Sequence, residues 1–274
     1  MTKLSIGFSP CPNDTFIFDA LIHGKIDTEG LEFEVHMADV EELNQMAFRG
    51  ELDITKLSYH AYLHILENYI MMDSGSALGN NCGPLLIKNS GAENPNPNDS
   101  IAIPGKYTTA NFLLNYAFPE LQNKREILFS EIEAAIKSHK VGAGLIIHEN
   151  RFTYADRGFD KVKDLGEHWE QNTGMPIPLG GIAIKRNVDK SLQEKVQRLI
   201  RKSIEYAFEN PSESLVFVKQ NAQEMDAEIM QKHINLYVNE FSISLGFEGR
   251  KAVEMFFEKA GKRTNAIFVE DNFM

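Results

Sequence analysis

Thiols are scarce in this chain, with Cys11 and Cys82 the only cysteines among 274 residues. Two cysteines are too few to suggest the disulfide framework of a small secreted domain, and they lack the CxxC spacing of a metal or redox pair. We therefore predict reduced thiols. Cys11 lies beside a predicted helix N-terminus, where a thiol can become acidic, but we interpret it as a packing residue.

Positive charge and long apolar runs are also in short supply. Lys and Arg number 28 against 39 Asp and Glu, a formal net charge of -11, and the short basic pairs form no patch. Such a surface repels a phosphate backbone, so we predict no nucleic-acid partner. The chain has neither an apolar run long enough to span a membrane nor the pattern of a signal peptide near its start. We expect a cytoplasmic protein without a membrane partner, and its oligomeric state stays open.

Alternating strand and helix patterns make up most of the chain. Residues 4–8, 31–37 and 52–55 have the apolar pattern of strands, and residues 15–23, 40–49 and 59–66 that of helices. The same alternation resumes after residue 100, and helical patterns dominate after residue 190. This order predicts an α/β protein with mixed, mostly parallel sheets and helices on both faces.

A loop rich in proline and asparagine interrupts the alternation at residues 89–99. We predict a larger α/β lobe from residues 1–88 and 182–274 and a smaller α/β lobe from residues 100–180. The segment 89–99 is predicted to be an exposed loop near the first crossing between them. Within the smaller lobe the predicted strands are residues 101–103, 127–129 and 144–147, and the predicted helices are residues 109–117 and 131–138.

Polar residues follow the first predicted strand, in the sequence SPCPNDTF at residues 9–16. The first N–H groups of a helix lack intrahelical partners, so Asn13 or Asp14 can cap them or leave them for an anion. Lys56, Leu57 and Ser58 occupy the next such turn. There Ser58 can cap a helix, and Lys56 can neutralise a ligand or face solvent.

His148 directly follows a predicted strand, and ligands of open α/β sheets bind beyond the carboxyl ends of strands. An imidazole, with an ordinary pKa of about 6.5, can accept a proton near neutral pH. A surface or capping histidine is the alternative. A zinc site of the HExxH type is excluded because Phe152 stands where the second histidine is needed. Glu149 can orient His148, pair with Arg151 or face water.

The segment PGKYTTA at residues 104–110 resembles a phosphate loop only in part. Ser100 and Tyr107 occupy positions where the Walker pattern needs Gly and Ser or Thr, so nucleotide hydrolysis is not predicted. The helix that begins near Thr109 can still hold a carboxylate at its N-terminus. Thr108 or Thr109 can equally be a simple cap.

Five segments together resemble one known family, 1,4-dihydroxy-6-naphthoate synthase of the futalosine route to menaquinone. They are GFSPCPNDTFIF at residues 7–18, TKLSY at 55–59, PGKYTTA at 104–110, GLIIHENRFTY at 144–154 and GMPIPLG at 174–180. The resemblance implies a two-lobed fold like that of type 2 periplasmic binding proteins, with the ligand in a cleft between the lobes.

The resemblance also implies a reaction. A lyase of this family converts cyclic dehypoxanthine futalosine, a small-molecule carboxylate, to 1,4-dihydroxy-6-naphthoate and a sugar-derived fragment, dihydroxyacetone, with no metal and no organic cofactor. His148 matches the proton acceptor, and the substrate-binding positions match Lys56, Leu57, Ser58, Thr109 and Ala110. Asn13, Asp14 and Thr108 are second-line candidates.

Two other functions stay open at this point. A small-anion-binding protein with the solute-binding fold would share the lobes but would need no base. A ligand-sensing module of a regulator would usually bring a helix-turn-helix segment and a basic surface, and neither is evident in the sequence.

Overall fold

The computed structural model describes residues 2–222, 226–262, 264 and 266–269. It divides into two compact units. The first unit contains the residues up to Gly79 together with those from Pro178 onward, and the second is Asn80–Ile177. Residues 270–274, the end of the predicted larger lobe, lie outside the described residues.

The first unit contains one sheet and most of the helices. Its strands are β1 (Thr2–Phe8), β2 (Leu31–Met37), β3 (Ile54–Ser58), β4 (Tyr69–Met71), β5 (Ala77–Gly79) and β11 (Ile177–Lys185). Its helices are α1 (Pro12–Ile22), α2 (Val40–Phe48), α3 (Tyr59–Tyr62), α8 (Lys190–Glu209), α9 (Pro211–Asn221), α10 (Ala227–Tyr237), α11 (Glu240–Ile243) and α12 (Gly246–Lys259).

The sheet of the first unit is mixed, with the order β2-β1-β3-β11-β4 and with β5 pairing β11. Strand β1 runs parallel to β2 and β3, whereas β11 runs antiparallel to β3 and β4. Among the named strands of this sheet, parallel pairing is therefore confined to the half formed by β2, β1 and β3. All five residues of the central strand β3 are buried.

Helix α1 lies at the centre of the first unit's core. Its residues from Pro12 to Leu21 are all buried, which fits a helix that is apolar on most sides and packs against α8 and α9. Phe8 and Phe18 stack with ring centroids 4.5 Å apart. This packing fixes the start of α1, where the polar residues of the first turn lie.

The second unit is built around a five-stranded sheet in the order β10-β6-β9-β7-β8. Its strands are β6 (Leu85–Asn89), β7 (Ile101–Ile103), β8 (Lys124–Glu126), β9 (Ala143–Ile146) and β10 (Phe159–Asp164). Its helices are α4 (Thr109–Ala117), α5 (Ile132–Lys137), α6 (Asn150–Thr153) and α7 (Leu165–Thr173), with a 3-10 turn at Phe129–Glu131.

Strand β6 belongs to the second unit, whereas the sequence assigns its residues 85–88 to the larger lobe and Asn89 to the exposed loop. The reason is its pairing, because β6 lies antiparallel between β9 and β10. The predicted strand at residues 127–129 is likewise wrong. The chain there passes from β8 into the 3-10 turn, and the strand that pairs with β7 lies earlier, at charged and largely exposed residues.

The helix predicted at residues 59–66 is shorter than expected. Helix α3 ends at Tyr62, after which the backbone N–H groups of His64 and Ile65 donate to carbonyls three residues earlier. These tighter turns replace the α-helical bonds. Across the described ranges, no helix combines the length and the apolar composition that crossing a bilayer requires.

Candidate functional site

A charged side chain lies in the middle of the buried strand β3. The side chain of Lys56 is 8% exposed, and its Nζ lies 3.0 Å from Asp14 Oδ1. The same Nζ donates to the carbonyl of Gly75 at 3.0 Å. Lysine is almost never buried unless it is paired, so this ion pair is what allows Lys56 to occupy a central strand. The expectation that Lys56 lies in a turn and could face solvent is therefore wrong.

The Asp14 carboxylate collects donors from the turn after β1. Ser9 donates to Oδ2 from its backbone N at 3.1 Å and from Oγ at 2.7 Å, and Asn13 Nδ2 donates to Oδ1 at 2.8 Å. With Lys56 these bonds satisfy both carboxylate oxygens. The carboxylate therefore serves as a buried counter-ion for Lys56.

Asn13 and Asp14 do not cap α1, contrary to one of the two alternatives drawn from the sequence. The helix begins at Pro12, so Cys11 occupies the cap position and both polar residues lie in the first turn. Proline is favoured at the first helical position, which moves the helix start ahead of Asn13. Asn13 Oδ1 lies 2.9 Å from Nε2 of the buried His233, so the amide links α1 to α10.

Gly75 provides the second acceptor for Lys56 and has a conformation that only glycine adopts easily. Its φ is +89°, and a Cβ built on it would lie 2.0 Å from Ile182 Cδ1. The backbone N–H of Gly75 donates to the carbonyl of Ser242 at 2.7 Å, and this bond holds the turn in place. The Lys56 ammonium is thus held by a backbone that cannot accept a side chain.

We expect Gly75→Ala to lower the free energy of unfolding by about 2 to 3 kcal/mol, because it adds positive-φ strain and a steric clash. Gly50→Ala is the matched control, since Gly50 has a φ of +65° and open space around the position of a Cβ. That variant has strain without a clash and should lose about 1 kcal/mol. Urea unfolding measures both, and equal losses would contradict the close approach of Ile182.

Ser58 ends β3 and occupies the cap position of α3, but its side chain does not cap that helix. Instead Asn44 binds the turn through both amide atoms. Ser58 N donates to Asn44 Oδ1 at 3.0 Å, and Asn44 Nδ2 donates to Ser58 Oγ at 3.4 Å. Because this bond uses Ser58 Oγ as an acceptor, the hydroxyl keeps its own proton for another acceptor.

Thr108, in the second unit, is the cap of α4. Its Oγ1 accepts from Asn111 N at 3.2 Å and donates to the Gly105 carbonyl at 2.8 Å. Thr109 and Ala110 are the first two residues of the helix, and both are buried. The capping role predicted for either threonine therefore falls to Thr108. Lys124 Nζ donates to Asn111 Oδ1 at 3.0 Å, which adds a side-chain hydrogen bond to the first turn of α4.

His148 lies two residues beyond the end of β9 and is half-buried. Its φ of +59° is in the left-handed region, which is uncommon for residues other than glycine although histidine is enriched there. The ring of Phe129 meets the imidazole edge to face at 4.9 Å. The strained backbone and the aromatic neighbour together fix the direction of the side chain.

The residues after His148 answer the open question about Glu149. Arg151 pairs with Asp164 at 2.6 Å, not with Glu149. Glu149 is buried, so it does not face water. Orientation of His148 is the alternative that stays a prediction.

Cys82 is also buried, and burial raises the pKa of its thiol to about 12, which makes it an inert packing residue.

Comparison with known proteins identifies the family. The sequence model of a family described as menaquinone biosynthesis matches residues 4–262. The chain belongs to this family. It is 41% identical over 263 residues to a 1,4-dihydroxy-6-naphthoate synthase of Thermus thermophilus, which covers 96% of both proteins. A protein of the same name from Streptomyces coelicolor is 39% identical over 94% of this chain and 92% of its own length.

Solved structures agree with this assignment. Protein AF1704 from Archaeoglobus fulgidus superposes with a TM-score of 0.89 at 35% identity, covering 94% of this chain and 97% of its own. A Candida albicans protein described as having the generic periplasmic binding protein fold gives a TM-score of 0.71 at 12% identity, with coverage of 98% and 96%. The solved structures confirm the predicted fold, and the family model with the two relatives confirms the predicted place in menaquinone biosynthesis.

Several residues around the predicted site were not predicted from the sequence. Ser9 holds Asp14, Gly75 holds Lys56, Asn44 holds Ser58, and Asp164 holds the segment after His148. One signal was available, because a lysine inside the apolar run ITKLS has to be paired when that run forms a central strand. The partners themselves are distant in sequence and carry no such signal.

Proposed function

We propose that this chain catalyses the lyase step of the futalosine route, cleaving a carbon–carbon bond of cyclic dehypoxanthine futalosine. The products are 1,4-dihydroxy-6-naphthoate and dihydroxyacetone. The observation that carries the proposal is the 41% identity to the Thermus synthase over 96% of both proteins. Because that match covers nearly all of both chains, it includes residues of both compact units. An enzyme of the cytoplasm, with two lobes that correspond to these units, is part of the same proposal.

His148 is the proposed proton acceptor. A neutral imidazole accepts a proton from the substrate ring, and the electrons left behind form a double bond as the carbon–carbon bond breaks. The departing fragment then takes up a proton, so the reaction is balanced without an oxidant. The fixed backbone and the Phe129 contact support this role, because a general base has to be held in a defined direction.

Lys56, Leu57 and Ser58 are proposed to bind the substrate from β3. An ammonium group has three N–H donors, and Asp14 Oδ1 and the Gly75 carbonyl accept from two of them. The third donor is proposed to bind a substrate oxygen, together with the hydroxyl proton of Ser58. Asn13 and Asp14 then act by holding Lys56 and the first turn of α1, without contacting the substrate themselves.

The substrate carboxylate is proposed to bind at the start of α4. The helix dipole and the N–H groups of the first turn favour an anion there, and the Thr109 hydroxyl adds a donor. Thr108 serves this site by capping, since its oxygen already accepts from Asn111 N. Ala110 contributes its backbone N–H and a side chain small enough to let the ligand approach.

A pair of threonine variants separates binding from capping. We expect Thr109→Val to raise KM by about 10- to 100-fold with little change in kcat, because it removes one hydrogen bond to a charged group. Thr108→Val is the matched control, and it should lower the free energy of unfolding by about 1 kcal/mol through loss of the cap. Steady-state kinetics and urea unfolding of both variants check this, and an unchanged KM in Thr109→Val would reject the assignment.

Incubation of the purified protein with cyclic dehypoxanthine futalosine tests the activity. The buffer contains no added metal or organic cofactor, and both products are quantified by mass spectrometry. We expect one naphthoate and one dihydroxyacetone for each substrate molecule consumed. If calorimetry shows that the substrate binds and the substrate is recovered intact, the chain is a small-anion-binding protein and the lyase proposal is rejected.

A further inference from the structure

The segment that follows His148 forms a compact turn. The backbone N–H of Arg151 points to the His148 carbonyl at 3.4 Å, and the backbone N–H of Phe152 donates to the Glu149 carbonyl at 2.9 Å. Helix α6, which this turn opens, has only four residues. Such a short helix has little stability of its own, so side-chain contacts have to fix its position.

Arg151 makes the strongest of those contacts. Its guanidinium donates from Nη1 to the Gly83 carbonyl at 2.5 Å and from Nη2 to Asp164 Oδ2 at 2.6 Å. The Arg151 side chain is 15% exposed and that of Asp164 is 8% exposed. A guanidinium that bonds two acceptors from a partly buried position holds its backbone more firmly than a surface ion pair does.

Both acceptors of Arg151 belong to a rigid corner of the second unit. Asp164 Oδ1 caps α7 by accepting from Gly166 N at 3.0 Å and from Glu167 N at 3.1 Å. Gly83 packs against Gly166 so closely that a Cβ on Gly83 would lie 2.3 Å from the Gly166 backbone. The β6 and β10 strands also pair at Leu85 and Asp164. Arg151 therefore connects the turn that begins at His148 to the closely packed backbone around Gly83 and Asp164.

We infer that Arg151 is a positioning residue that sets the location of the His148 imidazole through the turn they share. The inference rests on the proposed role of His148 as the base. A displacement of a base by about 1 Å can cost about a hundredfold in rate, so loss of the guanidinium should lower kcat more than it changes substrate affinity. Arg151 does this from its contacts with Gly83 and Asp164.

Two variants of Arg151 and one control test the inference. We expect Arg151→Ala and Arg151→Lys to lower kcat by about 10- to 100-fold with KM changed less than about 3-fold, the lysine having the smaller effect. Guanidinium chloride at millimolar concentration should restore part of the activity of Arg151→Ala. Arg125→Ala is the control, because Arg125 is exposed in the same unit and bonds only weakly to Lys140 O at 3.5 Å, and its kcat should be unchanged.

A spectroscopic measurement follows the His148 ring independently of activity. In 15N-labelled protein the ring signal of His148 is the one missing from His148→Asn, and we expect Arg151→Ala to displace it while the signals of His23 and His36 stay. A wild-type kcat in both Arg151 variants, or an undisplaced His148 signal, would overturn the inference. If His148→Asn is fully active, the proposed base is wrong, and the His148 signal alone then decides whether Arg151 positions the ring.

Discussion

His148→Asn should lower kcat by about a hundred- to ten-thousandfold, the contribution of a positioned general base. An amide cannot accept the substrate proton, but asparagine tolerates the left-handed backbone that residue 148 adopts at a φ of +59°. We therefore expect the variant to fold like the wild type. The rate of naphthoate formation under saturating substrate measures the effect.

His139→Asn is the matched control for that variant. His139 lies in the same unit, has a nearly identical φ of +56° and is exposed on the turn after α5. The same substitution at the same backbone conformation should leave kcat within about twofold of the wild type. An equal loss of activity in both variants would mean that the effect comes from the backbone and not from the imidazole.

Breaking the buried ion pair of the first unit should produce the largest loss of stability. We expect Asp14→Asn to lower the free energy of unfolding by about 3 to 5 kcal/mol, because it leaves the Lys56 ammonium buried without a counter-ion. Lys56→Met should cost somewhat less, about 2 to 4 kcal/mol, since Ser9 and Asn13 still donate to the carboxylate. Urea unfolding without substrate measures both changes.

The double variant and an exposed pair complete this experiment. Asp14→Asn combined with Lys56→Met removes both charges, and its loss should be smaller than the sum of the two single losses. Lys3→Met is the control, because Lys3 pairs with Glu34 at 2.7 Å while both side chains are more than half exposed. Its unfolding midpoint should not move. Equal unfolding midpoints of Lys56→Met and Lys3→Met would contradict a stabilising role of the buried ion pair between Lys56 and Asp14.

The sequence predicts those elements whose ends carry local signals. The strand at Leu31–Met37 and the helix at Thr109–Ala117 have the predicted bounds, the latter because the sequence offers two threonines as caps and the structure assigns the cap to Thr108. Strand β10 and helix α7 were not predicted, since the run FDKVKD alternates with charges and α7 is mostly polar. Both are defined by pairing and packing with β6, which lies far away in sequence.

The same distinction between local and distant interactions applies to the site. His148 lies just after the end of a strand and Thr109 at the start of a helix, so the local structure around each can be predicted from the sequence. The contact between Asp14 and Lys56 depends on the parallel pairing of β1 with β3, which sets Gly7 opposite Thr55. No local pattern specifies that pairing. The Arg151 contact with Asp164 depends in turn on β10, which the sequence did not predict. The predicted location of the ligand between the lobes stays a prediction.

The pH dependence of kcat/KM tests the role of His148 most directly, because this ratio reports the ionisation of the free enzyme's base. In the wild type, kcat/KM should fall tenfold for each pH unit on the acidic side, since a protonated imidazole cannot accept the substrate proton. The residual activity of His148→Asn should lack this acidic fall. An acidic fall that persists unchanged in His148→Asn, or a wild-type kcat/KM in that variant, would contradict the account.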